Sequence, residues 1–165
     1  MIKLLLSSAC ALALCACSAF TPIPKPEKSW AQHTGQIQTI GGTMGIVGEI
    51  SIRSDANNFL AEISKGPGVR LLTIYAHGAH GEEILVRGPL AGSAYQGSAA
   101  NAHGRLQSWA ALPDVFHWAA AHARGDWKFT TRLPDIESIA RSKAGRMESF
   151  EFTRGGETIT CKLNQ

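Results

Sequence analysis

Four residues near the start of the chain carry the clearest chemistry. Leu14-Cys15-Ala16-Cys17 sets a thiol behind a small residue at the end of an apolar run. In that arrangement a cysteine takes up a diacylglycerol before a peptidase cuts in front of it. Met1 to Lys3 supply a positive start and Leu4 to Leu14 the apolar core, which is shorter than the ~20 residues of a membrane-spanning helix. A frame ending on Cys15 would put Leu14 at the cleavage position, where a small residue belongs, so Cys17 is the expected new N-terminus. Residues 1–16 are then a signal peptide, and Cys17 carries acyl chains in a bilayer. Each buried methylene contributes ~0.8 kcal/mol, so a three-chain anchor holds stably. Ser18, rather than Asp, after the cysteine is similar to the signals that send lipoproteins to the outer membrane, with the folded body facing the periplasm.

Catalytic chemistry is harder to find. The chain has no Gly-x-Ser-x-Gly elbow, no phosphate-binding glycine loop and no paired Cys-x-x-Cys. His77 and His80, with Glu82 and His103 nearby in sequence, invite a zinc reading, but their spacing is not diagnostic and a solvated turn accounts for them better. His117 and His122 fall on the outside of an alanine-rich helix. Cys10 and Cys15 leave with the signal and Cys17 is acylated, so Cys161 is the lone mature thiol. Ile159 and Leu163 beside it favour burial. The expectation is a non-enzymatic protein with no metal and no cofactor.

Composition narrows the partners. The chain has 16 Lys and Arg against 13 Asp and Glu, and Lys3 goes with the signal. Such a near-neutral balance argues against nucleic acid, which selects a concentrated basic patch. The remaining length suits one domain with a real core. Pro22, Pro24 and Pro26 make residues 17–29 an extended tether, and the domain is expected over 30–165.

Within the domain, Ile46, Gly48, Ile50 and Ile52 alternate with Val47, Glu49, Ser51 and Arg53 on one strand, and Phe59, Ala61 and Ile63 with Leu60, Glu62 and Ser64 on the next, across an Asp- and Asn-rich turn at 54–58. Lys65-Gly66-Pro67-Gly68 is a tight loop. Val69 to Ala76 is apolar on both faces. After a turn at Gly78 to Gly81, Glu82 to Arg87 carries Ile84 and Val86 on one face. The period then lengthens. Leu106 to Leu112 reads as a short helix stopped or kinked at Pro113, and Val115 to Ala123 as a second, stopped at Gly125. Trp127 to Arg132 returns to a strand, and Pro134 to Lys143 fits helix or loop. Met147 to Thr153 and Glu157 to Leu163 form a hairpin through Arg154-Gly155-Gly156. The order implies an α+β fold, a curved antiparallel sheet covered on one face by short helices.

These segments resemble the LolB and LolA family of outer-membrane lipoprotein receptors and periplasmic carriers. The resemblance rests on the paired strands and Pro/Gly loop of Gly48 to Arg70, on Leu106-Gln107-Ser108-Trp109 followed by Ala111-Leu112-Pro113, and on Asp126-Trp127-Lys128 with the terminal hairpin. It implies an incomplete β-barrel whose apolar cavity holds acyl chains of a lipoprotein in transit, with a periplasmic carrier as partner. The wall would be Ile50, Ile52, Phe59, Ile63, Leu71, Ile84 and Val86 from the sheet and Leu106, Trp109 and Phe116 from the helices. The apolar pattern alone fits equally a solid core, in which case the domain would dock an envelope partner with no ligand cavity. One feature departs from the family. Its Pro/Gly loop exposes a leucine that touches the membrane, and here Pro67 stands in that place, burying little area.

Overall fold

The computed structural model describes residues 22–42, 45–78, 82–122, the backbone of 127–129, 136–143 and 145–164. The lipobox, His80 and the Gly125 stop lie outside them. Ten strands form one antiparallel sheet: β1 (Ala31–Gly41), β2 (Ile46–Ser54), β3 (Asn58–Ser64), β4 (Arg70–His77), β5 (Glu83–Arg87), β6 (Tyr95–Gly97), β7 (Trp127–Phe129), β8 (Glu137–Lys143), β9 (Arg146–Arg154) and β10 (Glu157–Leu163). Their spatial order is β6-β5-β4-β3-β2-β1-β10-β9-β8-β7, so an N-terminal and a C-terminal meander meet where β1 pairs with β10. Among the described residues one α-helix, α1 (Leu106–Ala121), follows the first meander and precedes the second. The sheet is open, with β6 and β7 at its edges.

The predicted faces of β2, β3 and β5 hold. Ile50, Ile52, Phe59, Ala61, Ile63, Ile84 and Val86 all point inward and are buried. Pro134 to Lys143, left open between helix and loop, contains strand β8 from Glu137. The hairpin turn is as expected. Gly155 and Gly156 have φ of 61° and 78°, a left-handed pair that joins β9 and β10 through two residues.

Strand β1 escapes a reading by apolar alternation because its inward row is Gly35, Ile37 and Thr39, with a single large apolar side chain. What makes it a strand is pairing on both sides, with β2 and with β10. Gly35 is required there, since a Cβ would run into the carbonyl of Lys162 on β10.

A single ring shows how far the sheet bends. Phe116 of α1 lies 5.4 Å from Phe59 on β3 and 6.1 Å from Phe150 on β9, centroid to centroid. Those strands are four steps apart in the sheet, ~19 Å if it were flat. One side chain reaches both because the sheet curls around the helix.

The two predicted helices are one. α1 runs sixteen residues straight through Pro113. The proline removes one helical hydrogen bond and crowds the preceding turn, a cost of ~3 kcal/mol in an ordinary helix. Tertiary burial outweighs it: Ser108 through Phe116, every residue in succession, is buried. A helix buried around its whole circumference lies inside the curl, not on top of it.

The later part of the expected tether touches the body. Ile23 packs on a small outer-face cluster of Trp30, Leu60, Tyr75 and Leu85, because β3, β4 and β5 carry apolar groups on the outer face as well.

Candidate functional site

The ten predicted wall residues are brought together, but against one another. Ile50, Ile52, Phe59, Ile63, Ile84, Val86, Trp109 and Phe116 belong to one continuous core and are each at most 2% exposed. Leu72 and Ile74, which sequence reasoning did not assign to the wall, are inward and fully buried, while Leu71 alternates with them and is half-buried at the rim. Leu106 is likewise half-buried. Around these residues the hollow of the sheet is filled by α1. The two-sided apolar pattern of β4 was the reason Leu71 and Leu72 were indistinguishable in sequence.

A recess remains at one end of the curl. About 260 Å³ opens between the β1–β2 and β9–β10 hairpins and the N-terminal turn of α1. Ile46, Leu90 and Trp109 supply its apolar lining, and Arg105, Ser108 and Glu157 its polar lining. Of its lining only Trp109 was a predicted wall residue; Ile46 shared the apolar face of its strand and Gly155 marked the turn without being assigned to a site. Ile46, Leu90 and Glu157 come from three separate segments that only the curled sheet unites.

Arg154 holds the helix onto this end. Its side chain is buried, and Nη1 donates to the carbonyls of Ala99 at 3.1 Å and Gln107 at 3.0 Å. Ser108 returns the contact, its Oγ donating to the Arg154 carbonyl at 2.7 Å. Removing the guanidinium breaks two hydrogen bonds made by a buried charge. Arg154→Ala should therefore cost about 3 kcal/mol, at ~1.5–3 kcal/mol per hydrogen bond to a charged group. Hydrogen exchange at Trp109 to Leu112 should accelerate before the rest of the sheet; uniform exchange would contradict the clamp.

No family model matches this chain, and no curated protein matches it significantly.

Glu157 tunes the same end. Burial pushes its carboxyl above the usual range, and Ser108 and Arg105 only partly offset this. A folded-state pKa above the unfolded one means that the charged form is penalised in the native state. The penalty is absent at low pH and grows as pH rises through the folded pKa. Glu157→Gln should thus raise the melting temperature at neutral pH and lose that advantage below the carboxylate range. A gain that persisted in acid would refute this origin.

The remaining predicted groups lie elsewhere. His77 ends β4 with Nδ1 3.0 Å from Asn58 Oδ1, and among the described residues no three potential ligands gather around a metal-sized gap. His122 is exposed and stacks on Trp118 at 4.8 Å, while His117, expected on the surface, is half-buried against Phe59. Cys161 is fully buried and its thiol is pushed far above its usual pKa, which leaves it a packing residue. The Pro/Gly loop does offer an apolar side chain: Val69, whose carbonyl accepts from the Lys65 amide, is 53% exposed at the same end as exposed Val47 and Ile40.

Proposed function

We propose that this protein is an outer-membrane lipoprotein, acylated at Cys17, that acts without catalysis as a receptor or carrier for a hydrophobic ligand such as an acyl chain. The reading is supported above all by the half-open recess beside Trp109, apolar within and polar at Arg105, Ser108 and Glu157. That combination suits a ligand with a greasy body and a polar end. Its 260 Å³ is just under the ~300–1,000 Å³ of ordinary small-molecule sites, so it takes part of one chain rather than several. Whole lipoprotein chains require α1 to lift from the sheet.

The test is titration of the domain lacking Cys17 with a fluorescent fatty acyl probe. Saturable binding is expected, and Ile46→Arg, which puts a charge in the recess, should weaken it at least tenfold while leaving the melting temperature nearly unchanged. Absence of saturable binding would defeat the ligand reading.

A second reading draws on the filled hollow, where eight of the ten wall residues are spent on the core. It takes the protein as a structural or assembly lipoprotein that docks an envelope partner. Recovery of one stable periplasmic partner, unaffected by added acyl ligand, would favour it.

A further inference from the structure

The start of the described chain and the recess lie at opposite ends of the strands. Ile23 is seated on Trp30, Leu60, Tyr75 and Leu85, and Pro22 and Pro24 line an outer groove of about 290 Å³ with Tyr75, His77, Glu83 and Leu85. His77 closes β4 beside the 54–58 turn: it pairs with Asn58, and the next amide, Gly78, donates to the Asn57 carbonyl. The recess is walled by Gly42 and Gly155, which belong to the hairpins at the other end. The six steps of β3 between the two ends span roughly 20 Å.

Cys17 precedes Pro22 by five residues, which reach at most ~18 Å when fully extended. A lipid on Cys17 therefore pulls on a fixed point of the fold, not on a long loose leash. We propose that in the acylated protein the end built from the 54–58 turn, His77 and Glu83 faces the membrane, so that the recess beside Trp109 opens away from the bilayer. This rests on the acylation of Cys17 put forward above. It carries a consequence for that function: ligand arrives at and leaves the recess from the aqueous side, not laterally from the leaflet holding the anchor. The Lys65 to Val69 loop stands on the same far side as the recess.

The test uses the full lipidated protein reconstituted in phosphatidylethanolamine–phosphatidylglycerol vesicles that carry a headgroup-linked quencher. A fluorophore is placed on Ala56→Cys at the near end or Lys65→Cys at the far end, both exposed positions. Buried Cys161 does not compete for the label. The Ala56 label should lose most of its emission and the Lys65 label should keep most of its own. Equal quenching, or stronger quenching at Lys65, overturns the orientation. Flotation with the vesicles, compared with Cys17→Ala, reads the anchor separately: protein that fails to float overturns anchor and orientation together. Ile23→Ser, which frees Ile23's segment from the Trp30 cluster, should bring the two labels to similar quenching. A difference that survived it would overturn this contact as the cause.

Discussion

Ile52→Glu is expected to leave no folded protein at neutral pH and 25 °C, read as loss of the β-sheet circular dichroism and of a cooperative thermal transition. Ile52 is fully buried, with His33 across from it on β1 and Ala61 on β3. Burial lowers the His33 pKa, which disfavours the charged ring a carboxylate there would pair with. An unpaired charge in such a site costs several kcal/mol, and the isoleucine's own burial, ~2–3 kcal/mol, is forfeited as well. Domains of this kind have ~5–15 kcal/mol to lose. Acid should partly restore the fold by neutralising the side chain. Ile52→Val, the control, should cost ~1 kcal/mol. Wild-type stability for the glutamate variant would mean that the inward face of β2 is wrongly assigned.

The second large effect is at Phe116. Phe116→Ala should lower stability by ~3–5 kcal/mol in urea denaturation, the range for an aromatic removed from a tight core. The ring also touches His33 of β1 at 5.5 Å, besides Phe59 and Phe150. It therefore spans both meanders, and its loss should loosen the curl as well as leave a void. Phe116→Leu should recover more than half of the loss by filling most of the volume. Leu106→Ala, at the half-buried rim, should cost much less. Comparable losses at the two sites would argue against a curl organised around Phe116.

The legible parts of the fold were those where one physical signal acted alone. Alternation marked the inward faces of β2, β3 and β5 because Ile50 and Ile52, Phe59, Ala61 and Ile63, and Ile84 and Val86 recur at every second position. Two adjacent glycines marked the last hairpin because few other residues accept two left-handed positions in a row. Where two signals competed, the reading failed. Pro113 is a helix breaker, yet the burial of Ser108 to Phe116 on every side carries the helix through it. β4 is apolar on both faces because it serves the main core inside and the Trp30 cluster outside, so periodicity does not say which side Leu71 takes.

The candidate site was the least legible. Its residues come from the β1–β2 hairpin, the segment after β5, the start of α1 and the β9–β10 hairpin, and no local pattern ties them together. Arg154 looked like a turn residue in sequence; its buried contacts with Ala99 and Gln107 exist only because the helix is drawn into the curl.

From its sequence alone the chain declares an antiparallel meander, a helical interval and a closing hairpin, since each is encoded in neighbouring residues through side-chain type and spacing. Tertiary structure decided the rest. It made β1 the seam between the meanders, filled the hollow with α1 and laid Ile23 against the outer face. Those outcomes depend on which surfaces far apart in sequence exclude water together, a quantity that no local window contains.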